Sequence, residues 1–127
     1  MGWCLDEHEA QRVLALDSDA RYALAINKIR EHGELWTLAS EGGWVVNTLD
    51  DGASTISIWP HERFAELEAT DEHADARPLR ISLTRWLSDR RAAWFEENDL
   101  GVSVFRAGGA VISADYATVA EELRGER

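Results

Sequence analysis

Five arginines, Arg77, Arg80, Arg85, Arg90 and Arg91, fall in a stretch of fifteen residues whose one acid is Asp89. Planar guanidinium forks at this density suit a carboxylate, a phosphate or an acidic partner surface, because each fork can donate two parallel hydrogen bonds to one oxyanion. The simpler expectation is that Arg85, Arg90 and Arg91 line the wet side of an amphipathic helix. There they would pair with the chain's surplus carboxylates, each pair contributing ~0 to 1 kcal/mol. A second chemically capable set is His61 and Glu62, followed by Asp71, His73 and Asp75. Such oxygen and imidazole donors can converge on a divalent ion. Acid at a helix start, however, also answers the helix dipole, and a charged loop stays hydrated. The histidines, His8, His32, His61 and His73, show no H-E-x-x-H pairing, so neither a metal nor a cofactor is expected.

The lone cysteine, Cys4, has no base near it in sequence and reads as a passive thiol. No G-x-S-x-G, P-loop, G-x-G-x-x-G or paired C-x-x-C occurs, and Gly101-Val102-Ser103 falls in a predicted strand rather than on a sharp turn. No catalytic residue is assigned, and the residues lean towards binding rather than catalysis. The six tryptophans are the most unusual feature of the composition. Trp36, Trp44 and Trp59 fall on three successive predicted strands, and Trp86 and Trp94 on one predicted helix. Most should fill the core. Indoles are rarely buried completely and need a partner for Nε1–H, so some should edge a groove or an interface. The candidate ligand or partner residues are Trp36, Trp44, Trp59, His61, Arg80 and Arg85.

These side chains need a scaffold, and local patterns supply one. Ala10, Val13 and Leu14 predict a first helix over 6–16. Asp17 or Ser18 can cap a second, carrying Tyr22, Ile26 and Ile29 and ending at His32 and Gly33. Short runs at 35–39, 44–49 and 54–59, separated by Glu41-Gly42-Gly43 and Asp50-Asp51-Gly52, predict three consecutive antiparallel strands. Trp59-Pro60 marks a strand entering a helix with Phe64, Ala65 and Leu67 inward. Residues 69–80 read as the one long loop. Ser82 caps a major helix with Leu83, Trp86, Leu87 and Trp94, closed by Asn98 and Gly101. A hairpin over 102–112 turns at Ala107-Gly108-Gly109, and Ser113 caps a last helix with Tyr116, Val119, Ala120 and Leu123. The order predicts an α+β fold, an antiparallel or mixed sheet of about five strands packed against helices, in a single domain over 1–127.

Composition bounds the function. The chain has 127 residues, is 45% hydrophobic and carries a formal charge of −11. That field repels phosphate backbones and anionic lipid, so neither nucleic acid nor membrane is expected as a partner. A single cysteine and the lack of an apolar leader or span predict a cytoplasmic location.

Several elements together resemble a known family. Tyr22 to Ile29, Leu35-Trp36-Thr37-Leu38 with Gly43-Trp44, Ile58-Trp59-Pro60 with Phe64-Ala65, Ile81-Ser82-Leu83, and Val102-Ser103-Val104-Phe105 look like the small bacterial proteins catalogued as domain of unknown function 2750. The resemblance covers roughly residues 20–123. It implies a compact α+β domain and no activity, since that family brings no catalytic residues to carry over.

Two functional expectations follow. The first is a small acidic, non-enzymatic module that binds another protein, regulatory or of the immunity and antitoxin type, through a flat aromatic patch with an acidic rim. The alternative is a small-molecule or anion binder. It would use a concave groove where Trp59 and His61 meet Arg80 or Arg85 of the arginine-rich segment 77–91.

Overall fold

Asp17 separates the first two helices by capping the second. The computed structural model describes residues 4–49, 51–69, 75–107 and 110–125. Helix α1 (Glu7–Leu14) starts at Asp6, whose carboxylate accepts the Glu9 N–H, and α2 (Ser18–His32) starts at Asp17, which accepts from Ala20. Each cap satisfies an amide that the first helical turn leaves open. Arg21 is 5% exposed and closes the corner between the helices, donating to Leu16 O at 2.6 Å and Ser18 Oγ at 3.3 Å. Gly33 ends α2 with φ 68°, a left-handed turn that glycine takes without a Cβ penalty.

The strands divide between two sheets. In the first, β1 (Glu34–Ser40) lies between β2 (Gly43–Trp44) and β5 (Arg77–Ser82), both antiparallel to it. In the second the order is β3 (Val46–Thr48), β4 (Ser54–Ile58), β6 (Leu100–Ala107) and β7 (Ala110–Asp115). The β4–β6 pair is parallel and its neighbours are antiparallel, so the architecture is α+β with a mixed sheet. The run over 44–49 is therefore two strands instead of one. Val45 sits at the break, its N–H still bonded to Leu38 O, while Val46 pairs with Ile56 of the other sheet. The sheets join directly where Trp36 and Trp59 exchange backbone hydrogen bonds of 2.9 and 2.8 Å.

Further expectations are corrected. The stretch expected as loop contains β5 at the edge of its sheet, where Pro78 is tolerated because an edge strand can forgo a ladder donor. Residues 70–74, with Asp71 and His73, lie outside the described residues. The major helix is two helices, α4 (Leu83–Trp86) and α5 (Asp89–Glu97), because Ser88 adopts extended geometry and accepts the Arg91 N–H, starting a new helix after Ser82 has capped α4. Beyond Asn98 the turn is made by Asp99 at φ 53° rather than by Gly101, which is already in β6. Helix α6 (Tyr116–Arg124) is capped by Asp115, whose carboxylate accepts the Thr118 N–H; Ser113 belongs to β7 and shares a 2.9 Å hydrogen bond with Ser103. Gly108 and Gly109 of the expected hairpin turn also fall outside the described residues.

One apolar cluster runs through both sheets and the helices. Its centre includes Ile29, Leu35, Ile56, Ile58, Trp59, Phe64, Trp86, Phe95, Val102, Val104 and Val119. In α3 (Glu62–Glu68), Phe64 and Ala65 point inward as expected, whereas Leu67 is half exposed. Among the described residues no helix is long and apolar enough to cross a membrane.

Candidate functional site: an arginine and tryptophan groove

The two serine caps aim α4 and α5 so that one side joins the core and the other faces a groove. Trp86 and Phe95 are buried, at 0% and 1% exposure, and meet edge to face at 5.1 Å. Tyr116 packs on both and donates its hydroxyl hydrogen to Trp86 O. On the other side stand Arg90, Arg91 and Trp94. Facing them is Trp44, carried in by the β1–β2 hairpin, whose Gly43 has φ 111°. Trp44 stacks on Trp86 at 6.1 Å and meets Trp94 edge to face at 5.5 Å, so both partly buried indoles continue the core aromatic cluster to the surface.

These residues, with Leu79, Arg80 and Ile81 of β5, Arg85 of α4 and Ser88, enclose a groove of about 460 Å³. The Arg91 guanidinium lies 4.1 Å from the Trp44 ring centre and 5.0 Å from that of Trp94. A cation over an indole face is attracted by the ring quadrupole. Arg91 is thereby held in place while its N–H edge stays available. Burial lowers its pKa from the ordinary guanidinium value; Tyr116 opposes this, and the charges of Arg90 and Arg85 add to it.

The arginines differ in their partners. Arg80 bonds the nearly buried Glu34 carboxylate at 2.5 Å. Elsewhere Arg12, Arg63 and Arg106 pair with Glu9, Glu7 and Glu68. Among the described residues, no carboxylate lies within 4.0 Å of Arg85, Arg90 or Arg91, and their guanidinium donors meet no acceptor. The expected pairing of these three with surplus acid is thus not formed. The Trp86 Nε1–H beside them is also buried without an acceptor among the described residues.

The sequence candidates scatter with respect to this groove. Trp44, Arg80 and Arg85 line it. Trp59 does not: it is 1% exposed, and its Nε1–H donates to Arg106 O at 3.0 Å. A side chain so enclosed has no surface to offer a ligand. His61 caps α3, its Nδ1 accepting the Arg63 N–H at 3.1 Å and its ring edge-on to Phe64. Trp36 is half-buried at the sheet junction. Neither lines the groove, so the convergence expected around Trp59 and His61 does not occur. Arg90, Arg91 and Trp94 also converge here and were not among the six site candidates, although both arginines belong to the arginine-rich segment 77–91. Their signal was the order of charge in the helix, two arginines at its start and two glutamates at its end.

At its other end α5 borders a cleft of opposite sign. Glu96, Asp99, Asp115 and Tyr116 line a space of about 320 Å³. Among the described residues no group of three His, Cys, Asp or Glu side chains is placed to hold a metal ion. Cys4 is exposed and makes no disulfide.

No curated protein matches the chain. Residues 22–122 match the model of a family described as Protein of unknown function (DUF2750), a span that takes in both sheets, α3 to α5 and every residue of the groove. With four-fifths of its length in that match, the chain belongs to the DUF2750 family.

Proposed function

We propose that this protein is a binding module whose groove between Trp44, Trp94 and the α4–α5 arginines takes an oxyanion. The observation that carries the reading is that Arg85, Arg90 and Arg91 share one groove without a carboxylate partner among the described residues, in a chain of net charge −11. Acid is plentiful everywhere else, and unneutralised like charges brought together cost free energy that an anionic ligand would offset. The indoles fix Arg91, so less side-chain entropy is lost when an anion docks. A protein partner would use the same groove by inserting an acidic side chain. An extended apolar docking face has less support, since among the described residues the exposed large apolar side chains, Val46, Leu67 and Leu79, sit on three different elements.

Trp44 and Trp94 provide the probe. Their fluorescence should change saturably on titration with phosphate, citrate or acetate at fixed ionic strength. The change should be lost in Arg85→Ala/Arg90→Ala, with the far-ultraviolet dichroism unaltered. A response no different from that to sodium chloride would remove this reading.

A further inference from the structure

We infer that the groove is built for a dianionic phosphoryl group, a phosphate monoester or inorganic phosphate, rather than for a monocarboxylate. This rests on the oxyanion reading above. Three guanidinium groups face the groove without counter-charge, and a fourth, Arg80, is already matched by Glu34. One carboxylate would leave two of the three unmatched. A phosphoryl dianion brings nearly two charges and three acceptor oxygens, one for each of three forks.

The arrangement of the forks agrees. Arg91 is held by Trp44 and Trp94 at the partly buried side, whereas Arg85 and Arg90 are exposed and approach from α4 and from the first turn of α5. Donors from separate elements surround a tetrahedral oxyanion more readily than the flat, two-oxygen edge of a carboxylate. Ser88, at the cap between the helices, also lines the groove. The organic part of such a ligand has Leu79 and Ile81 of β5 beside it as apolar wall.

The test uses the ligand's own titration. Methyl phosphate changes from monoanion to dianion near pH 6, so at pH 5 only about a tenth of it is dianionic. The groups facing Arg91 are Arg85, Arg90 and Tyr116; Tyr116 in turn has Asp89 and Arg124 nearby, and Glu34 is engaged by Arg80. No histidine, the side-chain type whose ordinary titration falls between pH 5 and pH 8, lines the groove. Methyl phosphate, sulfate and acetate would be titrated into the full-length protein at both pH values, at constant ionic strength. The expected result is methyl phosphate binding about tenfold tighter at pH 8 than at pH 5. Sulfate, dianionic throughout, should bind equally at both, and acetate far more weakly. Arg91→Lys, which keeps the charge but not the fork, should weaken methyl phosphate by at least as much. Equal methyl phosphate affinity at the two pH values, or acetate binding as tightly, would overturn the phosphoryl assignment and leave the oxyanion reading intact. Absence of saturable binding by all three would remove both.

Discussion

Helices α2 and α5 both pack against the core, through Ala25, Ile26 and Ile29 in one and Phe95 in the other, yet carry their charges in opposite order. In α2, Asp19 lies in the first turn and Arg30 and His32 in the last, each complementing the nearer end of the helix dipole. In α5, Arg90 and Arg91 stand beside the positive end and Glu96 and Glu97 occupy the negative end, with Asp89 the one charge in the favourable sense. Among the described helices of eight or more residues, α5 alone has no basic residue in its last turn. Arg21, buried in α2, and Arg91, partly buried in α5, make the same contrast. Arg21 in α2 spends its donors on Leu16 O and Ser18 Oγ, whereas Arg91 in α5 is held by ring faces and has no acceptor among the described residues. Arg21 is tied to its own corner of the fold, whereas the three arginines beside one groove, left without a carboxylate among the described residues, point to something outside the chain.

If that contrast is one of outer faces only, the inner faces should be equally costly to disturb. Phe95→Ala in α5 and Ile29→Ala in α2, at 1% and 0% exposure, should each lower unfolding free energy by roughly 2 to 5 kcal/mol in urea titrations. A Phe95→Ala cost under ~1 kcal/mol would mean that α5 is not part of the core.

The outer faces should respond with opposite sign. Exchanging charges in α2, as Asp19→Lys with Arg30→Glu, should destabilise by about 1 kcal/mol; the equivalent exchange in α5, Arg90→Glu with Glu97→Lys, should stabilise by a similar ~1 kcal/mol. Both effects should shrink in high salt. Destabilisation by both exchanges would erase the distinction.

A smaller effect concerns how α2 is anchored. Tyr22 donates its hydroxyl hydrogen to the Glu122 carboxylate of α6 at 2.7 Å, and burial, then the hydrogen bond and charge of Glu122, raise the phenol pKa. A raised folded-state pKa favours the neutral phenol. Its stabilisation is therefore complete below the unfolded value of about 10 and is lost as pH climbs above it. Tyr116, raised chiefly by burial, contributes in the same direction. Stability followed from pH 8 to pH 11 should fall in the native protein and fall less in Tyr22→Phe. Identical alkaline slopes would show that the Tyr22–Glu122 contact does not hold the two helices together.

These regions also differ in how much of them could be read from residues alone. Helix α2 was plain because both of its boundaries are local, an Asp17 cap and a Gly33 turn. The break between α4 and α5 was masked by an apolar rhythm, Leu83, Trp86, Leu87 and Trp94, that continues through it, although Ser88-Asp89 is itself a helix start. Strand β5 offers little beyond Leu79 and Ile81 around a proline, and owes its existence to the open edge of β1. The arginines and tryptophans of the groove were visible as types. Their meeting was not, because Trp44 reaches Arg91 through a hairpin and a sheet register that no local pattern encodes. Proximity in sequence instead suggested Trp59 and His61, whose side chains are committed to the core and to a helix cap.

The central claim is that Arg91 is placed for a ligand and not for the fold. Thermal melts of the native protein and of Arg91→Met, in potassium phosphate and in potassium chloride of equal ionic strength, test it most directly. Because phosphate raises melting temperatures generally by exclusion from protein surfaces, the difference between the two proteins is the informative quantity. The account predicts that Arg91→Met melts in chloride at or near the native temperature, and that the native protein gains several degrees more from phosphate than the variant does. An equal gain in both proteins, or a variant that melts far below the native protein in chloride, would contradict it.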